Sequence, residues 1–308
     1  MGSTRLTFLL ALGATLTAAG TEPPIRKSDV GPTMTVTAEA EPVENAKTPN
    51  PVVVIDREAI ERSGAETVTD LLKQAFPGQI LSNGGVGTTT SMHLGGARTQ
   101  DVVVTLDGIR LTDPSGMGSV NLSSLGLAGI DRVEVETGAS SSRFGAEAMG
   151  GVVALYSSGS APKGFSGSVA QKIGNQGIRG LQANTAYGWD SGWLRVSGDG
   201  YREEQATPTE DPFRTVGTFL GLGQQLGSDS LLTLSYRNVY TGVPVPYRTV
   251  SPTSRVYDED RESTTRSQQW VGSLRTTFSP GWMGELSLGH VLLNRREPKN
   301  PSGFSPYD

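Results

Sequence analysis

The chain has no cysteine, which excludes a disulfide framework and thiolate metal sites. Its two histidines, His93 and His290, have no ligand-like spacing, so a histidine-rich metal centre is excluded as well. Nowhere do 18 apolar residues run together, and that removes a helical membrane span. A membrane β-barrel is untouched by this argument, because its strands need only alternate. Positive charge is also in short supply. The 26 Lys and Arg against 31 Asp and Glu leave a net charge of −5, without the basic footprint of a nucleic-acid binder.

Signatures of catalysis are missing too. No G-x-S-x-G elbow occurs, and residues 145–151 open like a phosphate loop but put Gly151 and Val152 where Lys and Ser/Thr are required. Asp107, Asp113, Asp131, Glu134 and Glu136 offer no pair at a working separation for glycoside hydrolysis, and Asp107-Gly108 is itself a turn code. An acidic knot, Asp258-Glu259-Asp260 with Glu262, reads as a solvated loop more readily than as a Ca²⁺ site. The sequence therefore predicts no enzyme, no cofactor and no metal.

What the chain does have is glycine, 40 in 308 residues, and a clear division into segments. Residues 1–20 read as an export signal, with Arg5, an apolar core from Leu6 to Leu16, and the small residues Ala18, Ala19 and Gly20. Residues 21–48 turn to Pro, Glu, Thr and Lys, too polar to fold alone. Within them lies one β-prone island, Thr33, Met34, Thr35, Val36 and Thr37, whose extended character suits strand addition to a partner's sheet edge.

Residues 49–160 predict a small α+β unit. Val52–Ile55 reads as a strand, and Asp56 as the N-cap of a helix over Arg57–Arg62. Ser63-Gly64 interrupts it. A second helix, Thr67–Phe76, carries Val68, Leu71, Leu72 and Ala75 at helical spacing and stops at Pro77-Gly78. Val102–Leu106, Val133–Val135 and Val152–Tyr156 are predicted strands, with polar Gly-rich loops at Asn83–Thr90 and Asp113–Gly118.

After Pro162 the period becomes two, through residues 161–308. Trp270, Leu274 and Phe278 share one face while Ser273, Arg275 and Thr277 take the other, and Leu286 and Leu288 repeat the scheme against Glu285 and Ser287. Similar alternation runs through Phe165–Ile173, Leu181–Trp189, Leu194–Gly200, Val216–Leu222 and Leu232–Tyr240, about seven strands in all. Tight turns and longer links alternate between them, as in an outer-membrane barrel. Trp189, Trp193, Trp270 and Trp282 are expected to form interfacial girdles.

Three phrases carry a family resemblance: DLLKQAFPG at Asp70–Gly78, SMHLGGARTQDVVVTLDGI at Ser91–Ile109, and IDRVEVETGASSSRFGAEAMGGVV at Ile130–Val153. They resemble the plug domain of TonB-dependent outer-membrane receptors. Gly95 and Thr137 stand where the family carries arginine. Such arginines help to seat the plug, so their loss is expected to leave any buried wall carboxylate without its partner.

The resemblance implies an α+β plug domain followed by an incomplete antiparallel transmembrane β-barrel. Plugged barrels need about 22 strands, so the chain is expected to be part of a larger receptor. It further implies residence in the outer membrane and uptake of a scarce small molecule or metal chelate of the siderophore or cobalamin class. Thr33–Thr37 takes the place of the box gripped by a TonB-type inner-membrane energy-coupling protein. The externally facing plug loops are the expected ligand contacts: Asn83, Gly84, Gly85, Thr88 and Thr89 on one, Asp113, Ser115, Gly116 and Met117 on the other. The alternatives are an exported plug-like interaction or signalling protein that transports nothing, and an exported polysaccharide-active β-protein, which predicts a water-soluble product.

Overall fold

A computed structural model gives the architecture. The structure describes residues 50–82, 87–88, 90–111, 120, 122–157, 160–175, 177–204, 212–244, 247–251, 254–257, 262–280 and 282–296, together with the backbone of four short strands before them. Those four are β1 (Leu6–Thr7), β2 (Ala11–Ala18), β3 (Thr35–Val36) and β4 (Val43–Glu44).

The plug follows. Strand β5 (Val52–Asp56) leads into α1 (Arg57–Ser63), where Asp56 caps by accepting from the Ala59 amide and Gly64 closes the helix at φ 61°. Helix α2 (Val68–Ala75) is capped by Thr67 and buries Val68, Thr69, Leu71 and Leu72. Next come β6 (Ile80–Ser82), β7 (Thr90–Met92), β8 (Val102–Leu106), β9 (Ile109–Leu111), β10 (Ile130–Thr137), α3 (Ser141–Phe144) and β11 (Gly151–Ser157). The central sheet runs β5-β10-β11-β8-β9, parallel only between β11 and β8. One core fills its helix side, with Leu72, Met92, Leu94, Leu122, Val133 and Val153 fully buried. Each such side chain contributes about 1.5–3 kcal/mol.

The wall consists of β12 (Gly164–Ile173), β13 (Arg179–Trp189), β14 (Gly192–Glu203), β15 (Phe213–Leu226), β16 (Ser230–Pro244), β19 (Glu262–Ser279) and β20 (Trp282–Arg296), with a separate hairpin, β17 (Tyr247–Ser251) and β18 (Ser254–Tyr257), between β16 and β19. The seven wall strands are joined antiparallel in chain order, and β1 and β2 lie along the outer side of β20.

Alternation decides which way each side chain faces. Trp270, Leu274 and Phe278 are 55%, 37% and 67% exposed, whereas their neighbours Gln269 and Val271 are 3% and 9% exposed. Phe165, Val169, Leu181, Leu194, Val216 and Leu220 share the outer face, while Ser197, Asp199, Thr215, Arg237 and Ser267 lie buried on the inner one. An apolar outside around a polar, occupied inside is the arrangement of a lipid-facing barrel wall. A sandwich would have buried the apolar set.

One girdle residue is corrected. Trp193 is buried on the inner face, because Gly221 and Gly223 on β15 leave the space its indole fills. Its phase opposes Leu194 and Val196, so it points inward.

Candidate functional site

The plug sits against the inner face of the wall along a seam that begins at Gly129. This residue has φ 67°, and a Cβ there would overlap the ring of Phe219, which is almost fully buried on β15. Glycine meets both requirements, left-handed backbone and close approach. The Arg237 guanidinium of β16 lies 5.4 Å from the Phe219 ring centre, donates to the Ala128 carbonyl, and reaches the Ser157 hydroxyl at 3.3 Å. Charge attraction also links it to Asp107, Asp131 and Asp199. Asp107 takes a positive φ of 48° in its turn and accepts from the Ser157 amide at 2.7 Å. Burial pushes this carboxyl upward from its ordinary range, opposed by the Ser157 hydrogen bonds and the charge of Arg237.

A second wall arginine, Arg195 on β14, donates to the Ser160 carbonyl at 2.8 Å and to Asp131 at 3.3 Å. Asp131 also accepts from Arg57 of α1 at 2.5 Å, so one plug carboxylate joins a plug helix to the wall. At the other end of α1, Lys172 of β12 donates to the Gly64 carbonyl at 2.8 Å and lies 3.4 Å from Glu66. Burial raises the Glu66 carboxyl, and Lys172 opposes the rise by charge and hydrogen bond.

The seating is thus made by basic side chains of the wall reaching plug carboxylates and carbonyls. Gly95 is exposed at φ 59° with open space where a Cβ would go, and the Thr137 amide bonds the Pro51 carbonyl at 3.0 Å. Arg195 and Arg237 perform the seating from the opposite side of the seam. The buried wall carboxylate is Asp199. It accepts from the Ala128 amide, while its Oδ1 has no hydrogen-bond partner among the described residues. Lys172, Arg195, Asp199 and Arg237 were missed as functional residues from sequence. Their signal was a charge in the inward phase of an otherwise alternating strand.

Of the expected ligand contacts, only Thr88 is described; Asn83, Gly84, Gly85, Thr89, Asp113, Ser115, Gly116 and Met117 lie outside the described residues. The Thr88 carbonyl accepts from the Ser123 hydroxyl at 2.6 Å. Its neighbour Gly87, at φ 84°, packs so closely that a Cβ would overlap Phe213 and come 3.1 Å from Val243. Phe213 begins β15 after residues 204–212, and Val243 precedes residues 245–261, so the β6–β7 tip meets the end of the wall that carries the longer links. The tight turns at 190–191 and 227–229 mark the other end. In the expected coupling box, Thr35 and Val36 are extended and pair with Glu44 and Val43; Thr33, Met34 and Thr37 lie outside the described residues, as do Asp258, Glu259 and Asp260.

Comparison with known proteins agrees with this geometry. Residues 44–152 match the family model described as TonB-dependent Receptor Plug Domain. The chain is 26% identical over 211 residues to the vitamin B12 transporter BtuB of Photobacterium profundum, which covers 65% of this chain and 34% of that protein. It is 36% identical over 121 residues to the vitamin B12 transporter BtuB of Vibrio cholerae, covering 39% of this chain and 20% of that one. The chain therefore spans about a third or less of these curated relatives. In fold it resembles the ferripyoverdine receptor of the outer membrane of Pseudomonas aeruginosa, with a TM-score of 0.73 at 18% identity over 93% of this chain and 40% of that one. The siderophore receptor PiuA of Acinetobacter baumannii gives 0.63 at 20% identity over 83% of this chain and 38% of that one. Residues 44–152 thus form a plug domain of the TonB-dependent receptor type, and seven antiparallel wall strands follow it in the chain.

Proposed function

We propose that the chain serves an outer-membrane receptor that imports a scarce ligand of the cobalamin or ferric siderophore class, driven by a TonB-type inner-membrane partner. One observation carries this reading: the β6–β7 tip of the plug stands at the long-link end of the wall, where Gly87 meets Phe213. A ligand arriving from outside would meet that tip and the loops around it first. The vitamin B12 transporters and siderophore receptors named above supply the cargo class.

Coupling enters from the other end of the chain. The island Thr33–Thr37 is extended at Thr35 and Val36 and precedes β5, an edge strand held by β10 alone within the plug sheet. A partner that adds a strand there and pulls would load β5 and α1 before any other part of the sheet. No bond in cargo or protein needs to be made or broken; the partner supplies the work. Signal removal, export and lipid embedding of the apolar outer face complete the reading.

The test is uptake of labelled cobalamin or ferric siderophore by cells carrying the complete gene, with and without residues 33–37. Uptake lost while surface binding persists is the expected result. Unchanged uptake removes the coupling role of that segment.

A further inference from the structure

The outer face of the wall is not apolar throughout. Register places Arg179 of β13 opposite Arg202 of β14, and Arg202 opposite Arg214 of β15. All three are exposed and share the outward phase of Leu181, Leu194 and Val216. Exposed Arg266 of β19 and Arg296 of β20 carry the row on at the same end, in phase with Trp270 and Leu288. Between them β16 contributes Tyr240, whose hydroxyl lies 3.4 Å from the Arg214 guanidinium. On the seven wall strands every outward-facing Lys or Arg falls at this end, the one that carries the longer links.

Like charges directly across a strand pair repel, so such a row costs stability unless an anion answers it. The protein's own answer is partial. Glu262 holds Arg214 at 2.8 and 2.7 Å, and Glu204 lies 4.0 Å from Arg202. Arg179 and Arg296 have no partner among the described residues. The row also stands where the apolar band stops. Val216, Thr218, Leu220 and Leu222 occupy the outer face of β15 between Arg214 and Gln224. Ten residues at about 3.4 Å each, tilted by about 40°, rise roughly 25 Å, which is the height of the apolar band of an outer-membrane wall. Arg214 therefore lies at headgroup level on the long-link side, and uncharged Gln224 on the other.

We infer that this arginine row binds a lipid headgroup bearing more than one phosphate, in the leaflet beside the long links. Guanidinium grips phosphate through paired N–H donors, which an ammonium cannot do. Neighbouring strands lie about 4.8 Å apart, so Arg179, Arg202 and Arg214 together span about 10 Å. That is too wide for one phosphate and suits a headgroup that carries two. The inference rests on the lipid embedding of the outer face proposed above, and not on cargo or coupling.

The test reconstitutes the full chain in phosphatidylcholine vesicles. In one set brominated acyl chains quench tryptophan, and Trp270 on the outer face reports embedding. In the other, spin-labelled bisphosphoryl lipid A or spin-labelled phosphatidylglycerol is added in trace, and the motionally restricted fraction reports binding at the wall. Lipid A should be favoured over phosphatidylglycerol. Arg202→Gln should weaken its association about fivefold, the effect of one basic residue at an anionic surface, and Arg179→Gln should add a similar loss. Arg275→Gln, which removes an inward-facing arginine of β19, should change nothing. Millimolar pyrophosphate should leave the lipid in place. Equal binding of the two lipids overturns the inference, as does a lipid A preference that survives both substitutions in the row. Displacement by pyrophosphate also overturns it, since the row would then be a site for free phosphate. Quenching without lipid preference discards the row and keeps the embedded wall; absence of quenching removes both.

Discussion

Gly129 concentrates the demands of the plug–wall contact into one position. Its φ of 67° and its place against the Phe219 ring leave no room for a side chain. Gly129→Ala should cost about 2–4 kcal/mol, the sum of left-handed strain and overpacking against a buried aromatic. Amide exchange in β10, which begins at the next residue, should quicken accordingly; unchanged exchange would mean that the seam is looser than described. The charges around it explain why the ring is held there. Arg237 is committed to the Ala128 carbonyl and the Ser157 hydroxyl, and taking it away would strand Asp107 and Asp199. The partners could not be read from the sequence, because they depend on which plug segment lies opposite each inward-facing residue. Arginine at 95 or 137 would have been the visible clue, and both positions lack it.

Among the elements, the helices were the most legible. Asp56 stands in the sequence as a cap and caps in the structure, while Thr67, expected as the first helical residue, is the cap of α2; the helix ends lie within a residue or so of expectation. Thr67 accepts from the Asp70 amide at 3.2 Å and donates to the Asp70 carboxylate at 2.8 Å. Thr67→Ala should therefore cost about 0.5–2 kcal/mol, with faster amide exchange confined to the first turn of α2; no change in that turn would show the cap to be idle. Strand β10 was less legible. The predicted Val133–Val135 extends to Ile130–Thr137, because buried Glu134 and Glu136 disguise the strand as a charged surface. Glu134 pairs with Arg132 at 3.1 Å, and Glu136 accepts from Asn50 and Ser140 at 2.7 Å and 2.6 Å. Partners 86 residues away in sequence, such as Asn50, leave no local trace.

Across the whole molecule, period-two alternation predicted the wall and its orientation. It succeeds because a barrel strand must satisfy lipid on one side and a polar filling on the other, so each residue records its own environment. The exception, Trp193, followed the phase rule and broke only the expectation that tryptophan marks the interface. Docking of plug to wall was illegible, since it arises from segments far apart in the chain.

The central claim is that the two faces of each wall strand meet different solvents. Nitroxides placed singly at 269, 270, 271, 274 and 278 in the lipid-reconstituted chain test it through collision with oxygen, which enriches in lipid, and with a water-soluble nickel chelate. Positions 270, 274 and 278 should be rich in oxygen collisions, with 269 and 271 poor in both. Oxygen access that is equal at all five positions, or greatest at 269 and 271, would contradict a lipid-facing wall around an inner plug.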